Sequence, residues 1–134
     1  MFEPEKRSEV MSRIRSKGSK AEQIVFSYLR KEGVYSQKHY KRAPGKPDIA
    51  MPRKKLAVFI DGDFWHGRDY ERVVNVTKSE YWTKKIKSNM DRDAKNFNLL
   101  TEKNWRVLRV WESDINRKRT KYEVLEKIKN FLTT

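Results

Sequence analysis

Apolar and polar positions switch between helical and strand spacing along the 134 residues, and the order of the switches predicts an architecture. Ala21, Ile24, Val25, Tyr28 and Leu29 recur on one face of a helix. Ser19 and Glu22 form an S-x-x-E capping box ahead of them, and Gly33 stops the run. A strand is expected near 34–40, a turn at Ala43-Pro44-Gly45-Lys46-Pro47, and an extended path again from Asp48 to Met51. Pro52 to Lys55 turns the chain into Leu56-Ala57-Val58-Phe59-Ile60, a continuous apolar run that reads as a buried strand. The two extended segments form a hairpin, which brings Asp48 to the end of the second run.

Gly62 to Lys78 reads as a long irregular loop, a length that compact domains usually reserve for function. Thr77 and Glu80 form a second capping box and open a helix to about Lys103, with Trp82, Ile86, Phe97 and Leu100 as its inward stripe. Asn89 and Asp93 fall on that same line, where polar groups must find partners. Trp105 to Trp111 is a strand, and Thr120 with Glu123 caps a last helix carrying Val124, Leu125, Ile128, Phe131 and Leu132. This order of elements predicts a single α/β domain over 1–134, with a mixed sheet flanked by helices and a basic arm over 1–18 that carries Met11 and Ile14.

Composition narrows the function. Lysine and arginine number 32 against 18 acids, a formal net charge of +14, so the expected partner is a polyanion, with nucleic acid first. Charge alone also fits a structural RNA binder; a membrane-surface protein would need an amphipathic basic helix in place of the acidic loop. Sixteen aromatics spread through the chain argue for a folded domain despite 37% charged residues. Without cysteine there is neither a disulfide nor a thiolate zinc site. No apolar run approaches a membrane span and no signal-peptide core opens the chain, so a cytoplasmic location and no membrane partner are expected.

The chemistry concentrates between Lys46 and His66. Cleaving a phosphodiester requires an activated water and stabilisation of added negative charge, and a hard cation held by carboxylates and backbone oxygens supplies both. Asp48 is the first candidate ligand. Pro47-Asp48 alone would be read as a turn pair, but a buried strand ending in Asp61 and Asp63 inside a basic protein favours a cation site. Asp61-Gly62 fits a tight turn equally well before its neighbours are counted. His66 is a candidate general acid or base. Spacing alone leaves Glu22 as a helix cap. Phe64 and Trp65 are either core plugs or wedges between bases, with core packing the commoner outcome.

Several co-linear motifs together resemble the very short patch repair (Vsr) endonucleases. They are Pro44 to Ile49, Val58 to Gly67, Glu80 to Ile86, Asn89 to Asp93 and Trp105 to Glu112, so the likeness runs from about Arg7 to Glu112. The resemblance implies a restriction-endonuclease-like fold of the PD-(D/E)xK type and a magnesium-dependent nick beside a T:G mismatch in double-stranded DNA. By that likeness Asp48 and the backbone carbonyl of Ile60 bind Mg2+, Glu22 orients the attacking water, His66 assists proton transfer, and Asp61 stands where some relatives carry histidine. Phe64, Trp65 and Trp82 would intercalate beside the mismatch; Lys46 and an amino-terminal arm with Arg13, Arg15 and Lys17 would hold the duplex.

The family's structural zinc, held by three cysteines and a histidine, has no ligands here. The matching positions are Asp63, Arg68, Tyr70 and Ser113, so no zinc is expected, and an Asp63 to Arg68 ion pair with packing of Tyr70 is expected in its place. The D/E-x-K lysine is also missing, because Asp63 stands there. Alternatives are a nuclease of this fold with a homing, restriction or phage-defence target, and a DNA-binding module without catalysis. A monomer is expected, and mismatch-repair proteins are candidate partners.

Overall fold

The computed structural model describes residues 19–63, 67–68 and 80–134. The expected arm, with Arg13, Arg15 and Lys17, lies outside the described residues, as do Phe64, Trp65, His66, Tyr70 and Thr77. Helix α1 spans Lys20–Lys31, with Ser19 as its N-cap; the Ser19 Oγ accepts the Glu22 N–H at 3.3 Å. That is one half of the expected capping box. The Glu22 carboxylate reaches His39.

Strand β1 is Gln37–Lys38, shorter than the stretch expected near 34–40, and is followed by β2, Ile49–Met51, and β3, Leu56–Asp61. A long helix α2, Glu80–Glu102, leads to β4, Arg106–Trp111. Two helices close the described chain, α3 at Glu112–Asn116 and α4 at Lys118–Leu132. The short α3 was not expected. The Thr120 capping box is also corrected: α4 begins two residues earlier behind Arg117, and the Thr120 hydroxyl donates to the Asp114 carbonyl at 2.6 Å. With α3 directly ahead, that hydroxyl serves the junction between two helices instead of a free helix start.

The four strands lie in the order β1-β2-β3-β4. The first three are antiparallel, and β3 to β4 is parallel, across the connection that contains α2. The sheet is therefore mixed, as expected. On one face Ile49, Leu56, Val58, Ile60 and Val110 pack with Val25 and Leu29 of α1, Ile115 of α3 and Leu125, Ile128 and Leu132 of α4. On the other, Ala57 and Phe59 pack with Ala43 and with Leu100 of α2. Helices on both faces explain why all six positions of β3 are buried and why its sequence shows no alternation. Within α2 the buried stripe is Trp82, Ile86 and Leu100, whereas Phe97, expected on it, is 43% exposed. No described helix is long and apolar enough to cross a membrane.

Candidate active site

The hairpin of β2 and β3 sets the geometry of the site. Ile49 lies opposite Val58, so the same register continued by two residues places Pro47 opposite Ile60. Proline has no N–H, so it cannot give the Ile60 carbonyl a ladder hydrogen bond. The Pro47 carbonyl instead accepts the Tyr40 N–H at 2.9 Å, and the Ile60 N–H donates to the Asp48 Oδ2 at 2.7 Å. A strand residue directs its N–H and C=O to the same side, so the Ile60 carbonyl also faces towards Asp48. The Pro-Asp pair thus ends the β2 ladder and puts a carboxylate in its place.

Glu22 reaches this point from α1. It is 5% exposed, and its two carboxylate oxygens lie 3.2 and 3.1 Å from the His39 Nε2. Among the described residues, Glu22, His39 and Asp48 each offer a ligand atom within 4.8 Å of the others. Burial pushes the Asp48 carboxyl up to about 7. The Ile60 N–H opposes that shift, while Glu22 and the charge of Asp61 add to it. A buried carboxylate beside two more of like charge is expensive to ionise, and a cation removes that cost. The donor set therefore fits a divalent ion.

His39 is the residue that reading the sequence missed. It follows β1 directly, with a φ of +49°, and its N–H donates to the Asp48 carbonyl at 2.8 Å while its ring stands edge-on to Phe26. This left-handed turn, uncommon for a non-glycine residue though least so for Asn, Asp and His, aims the imidazole at Glu22. His39 stands outside the Pro44 to Ile49 motif, with no local pattern that would single it out. Only the hairpin-like return of the chain brings the two together.

Asp61 is placed differently from its expected catalytic neighbourhood. It is 5% exposed, and its oxygens accept from the Arg109 Nη1 at 3.0 and 2.7 Å. Arg109 in turn lies over the Phe59 ring and 3.8 Å from Asp93, which gives that stripe aspartate one of its partners. Asp61 acts on Asp48 through its charge and is not in the converging trio. Trp82 is 4% exposed, so its ring packs inside the protein. Lys46 is exposed at the turn before Pro47.

The expected Asp63 to Arg68 pair is present, at 3.3 Å, within a larger network. Asp63 accepts from the Ser113 N–H at 3.1 Å and the Ser113 hydroxyl at 2.6 Å, and Arg68 reaches Asp114 at 3.0 Å. Parallel register explains the meeting: Asp61 is level with Trp111, so two residues on Asp63 arrives at the first turn of α3, which has no side-chain cap of its own. Beside the site, a cavity of about 870 Å³ runs along the β1–β2 edge. Among the described residues its walls include His39, Lys38, Lys41, Arg42, Arg53 and Lys54 and no acidic side chain.

The family model described as DNA mismatch endonuclease Vsr matches residues 1–72, which include Glu22, Asp48 and Ile60. The type II nicking enzyme V.XorIIP of Xanthomonas oryzae pv. oryzae is 37% identical over 115 residues, covering 84% of both chains. The type II nicking enzyme V.HpaIIP of Haemophilus parainfluenzae is 34% identical over 124 residues, covering 90% of this chain and 88% of its own. The DNA mismatch endonuclease Vsr of Escherichia coli is 34% identical over 107 residues, 79% of this chain and 69% of its own. With its helix-flanked mixed sheet and relatives that are DNA endonucleases, the chain belongs to the family of Vsr DNA mismatch endonucleases.

Proposed function

We propose that this endonuclease nicks one strand of double-stranded DNA at or next to a T:G mismatch, as a step of very short patch repair, with a divalent cation at Asp48. The observation that carries the reading is the meeting of Asp48, Glu22 and the Ile60 backbone at the end of β2 and β3, in a chain of net charge +14. Asp48 and the Ile60 carbonyl would hold the cation, with Glu22 beside them. Bound there, it would offset the charge that builds on the scissile phosphate and help activate water. Glu22 is proposed to orient the attacking water, and His66 to give a proton to the leaving oxygen.

Selectivity would come from the cost of opening the base stack, a few kcal/mol and least at a mispair. Phe64 and Trp65 are the proposed wedges. Trp82 could join them only by leaving its buried position. Lys46, Arg13, Arg15 and Lys17 are proposed phosphate contacts. A second reading is nicking at an unmismatched sequence, favoured by the relatives named as type II nicking enzymes. End-labelled T:G and T:A duplexes of otherwise identical sequence, with a divalent cation or EDTA, decide between them. Metal-dependent nicking of the T:G duplex alone supports mismatch repair; equal nicking of both moves the target to a sequence.

A further inference from the structure

We infer that the cation is bound through a nitrogen as well as oxygens: the His39 Nε2 is a ligand beside Asp48 and Glu22, and the centre prefers a transition-metal dication of the Mn2+ class to Mg2+. The inference rests on the metal-nuclease reading above and names the ion that site selects. Two neighbouring ligands of an octahedral ion at about 2.1 Å stand about 3.0 Å apart. The His39 Nε2 lies 3.1 Å from the nearer Glu22 oxygen, and all three ligand atoms fall within 4.8 Å of one another. The imidazole is held there on purpose, by a left-handed backbone turn and an N–H bond to the carbonyl of Asp48 itself. A ring needed only to fill space would not require that turn.

Donor chemistry decides the ion. Mg2+ strongly prefers oxygen and sheds water reluctantly, whereas imidazole suits transition metals, and Mn2+ accepts carboxylate and carbonyl oxygens as well. To donate to a carboxylate, Nε2 carries the ring proton in the metal-free protein. With the ion bound, Nε2 gives its proton up to solvent and Nδ1 takes one, so the ring stays neutral as the Nδ1–H tautomer.

The test uses the full chain, alone and on a T:G duplex. Mn2+ and Mg2+ binding are measured by calorimetry, and the Mn2+ complex by electron spin-echo spectroscopy, which detects a directly bound imidazole nitrogen. Mn2+ is expected to bind roughly tenfold or more tightly than Mg2+, with a ¹⁴N imidazole signal. His39→Gln keeps a hydrogen bond to Glu22 but removes the imidazole, so it should fold, lose the signal and bring the two affinities together. Mn2+ binding that depends on Asp48 but gives no ¹⁴N signal, or a His39→Gln protein with unchanged selectivity, overturns the inference and leaves the metal-nuclease reading standing. Failure of either ion to bind, with or without duplex, overturns both.

Discussion

Burial raises the Asp48 carboxyl to about 7, and that gives two measurable consequences. Between the ordinary carboxylate value of 3.8 and about 7, the folded state holds a proton there that the unfolded chain releases. In EDTA, stability should therefore fall as pH rises through that window and level off above it, by at most about 4 kcal/mol. Asp48→Asn should flatten this decline in urea denaturation curves at pH 5 and pH 8 and be the more stable protein at pH 8. The same variant should nick at least about a hundredfold more slowly while still binding duplex, since it loses a cation ligand and not a phosphate contact. Arg109 shows the converse. Its guanidinium neutralises the buried Asp61, so Arg109→Met should strand a charge and destabilise the fold by about 3 kcal/mol, read as a lower denaturation midpoint.

At the scale of elements, the parallel pairing of β3 with β4 delivers Asp63 to the start of α3, where it takes the Ser113 N–H that no local side chain caps. A carboxylate at a helix N-terminus is favoured by the unpaired N–H groups and the helix dipole. Arg68 then ties Asp63 to Asp114 and lies 5.4 Å from the Trp111 ring centre, so the start of the 62–78 segment is anchored to α3 by charge and hydrogen bonds. Asp63→Ala should cost about 1–2 kcal/mol in a thermal melt. Elemental analysis of the purified protein should find no stoichiometric zinc; a full equivalent of zinc would show that some other ligand set staples this end of the sheet. The helix starts make a related point. Ser19 was legible as a cap because its partner is three residues away, whereas the α4 start was misread at Thr120 because an unforeseen helix occupies the preceding turn.

For the whole molecule, the charge of +14 acts on DNA through surfaces as well as through the site. The basic wall along the β1–β2 edge includes His39 and, among the described residues, contains no acid, so phosphates flanking the cleavage point would meet it favourably. Replacing Lys41, Arg42 and Arg53 together by alanine should lower the salt dependence of duplex binding by about 2–3 units of the log–log slope, with Asp48-dependent chemistry intact once DNA is saturating. By itself the sequence determined the order of the helices and strands other than α3, the buried β3, the Ser19 cap, the excess of basic charge, and Asp48 as a candidate ligand. All of these rest on residues close in sequence or on composition, where periodicity, capping and turn chemistry act. Tertiary structure alone decided that Glu22 meets His39, that Asp61 is engaged by Arg109, and that Trp82 is buried. Those outcomes depend on which face each side chain presents once α1, the β1–β2 return and β4 come together, and contacts between residues 17 and 48 positions apart leave no local pattern to read.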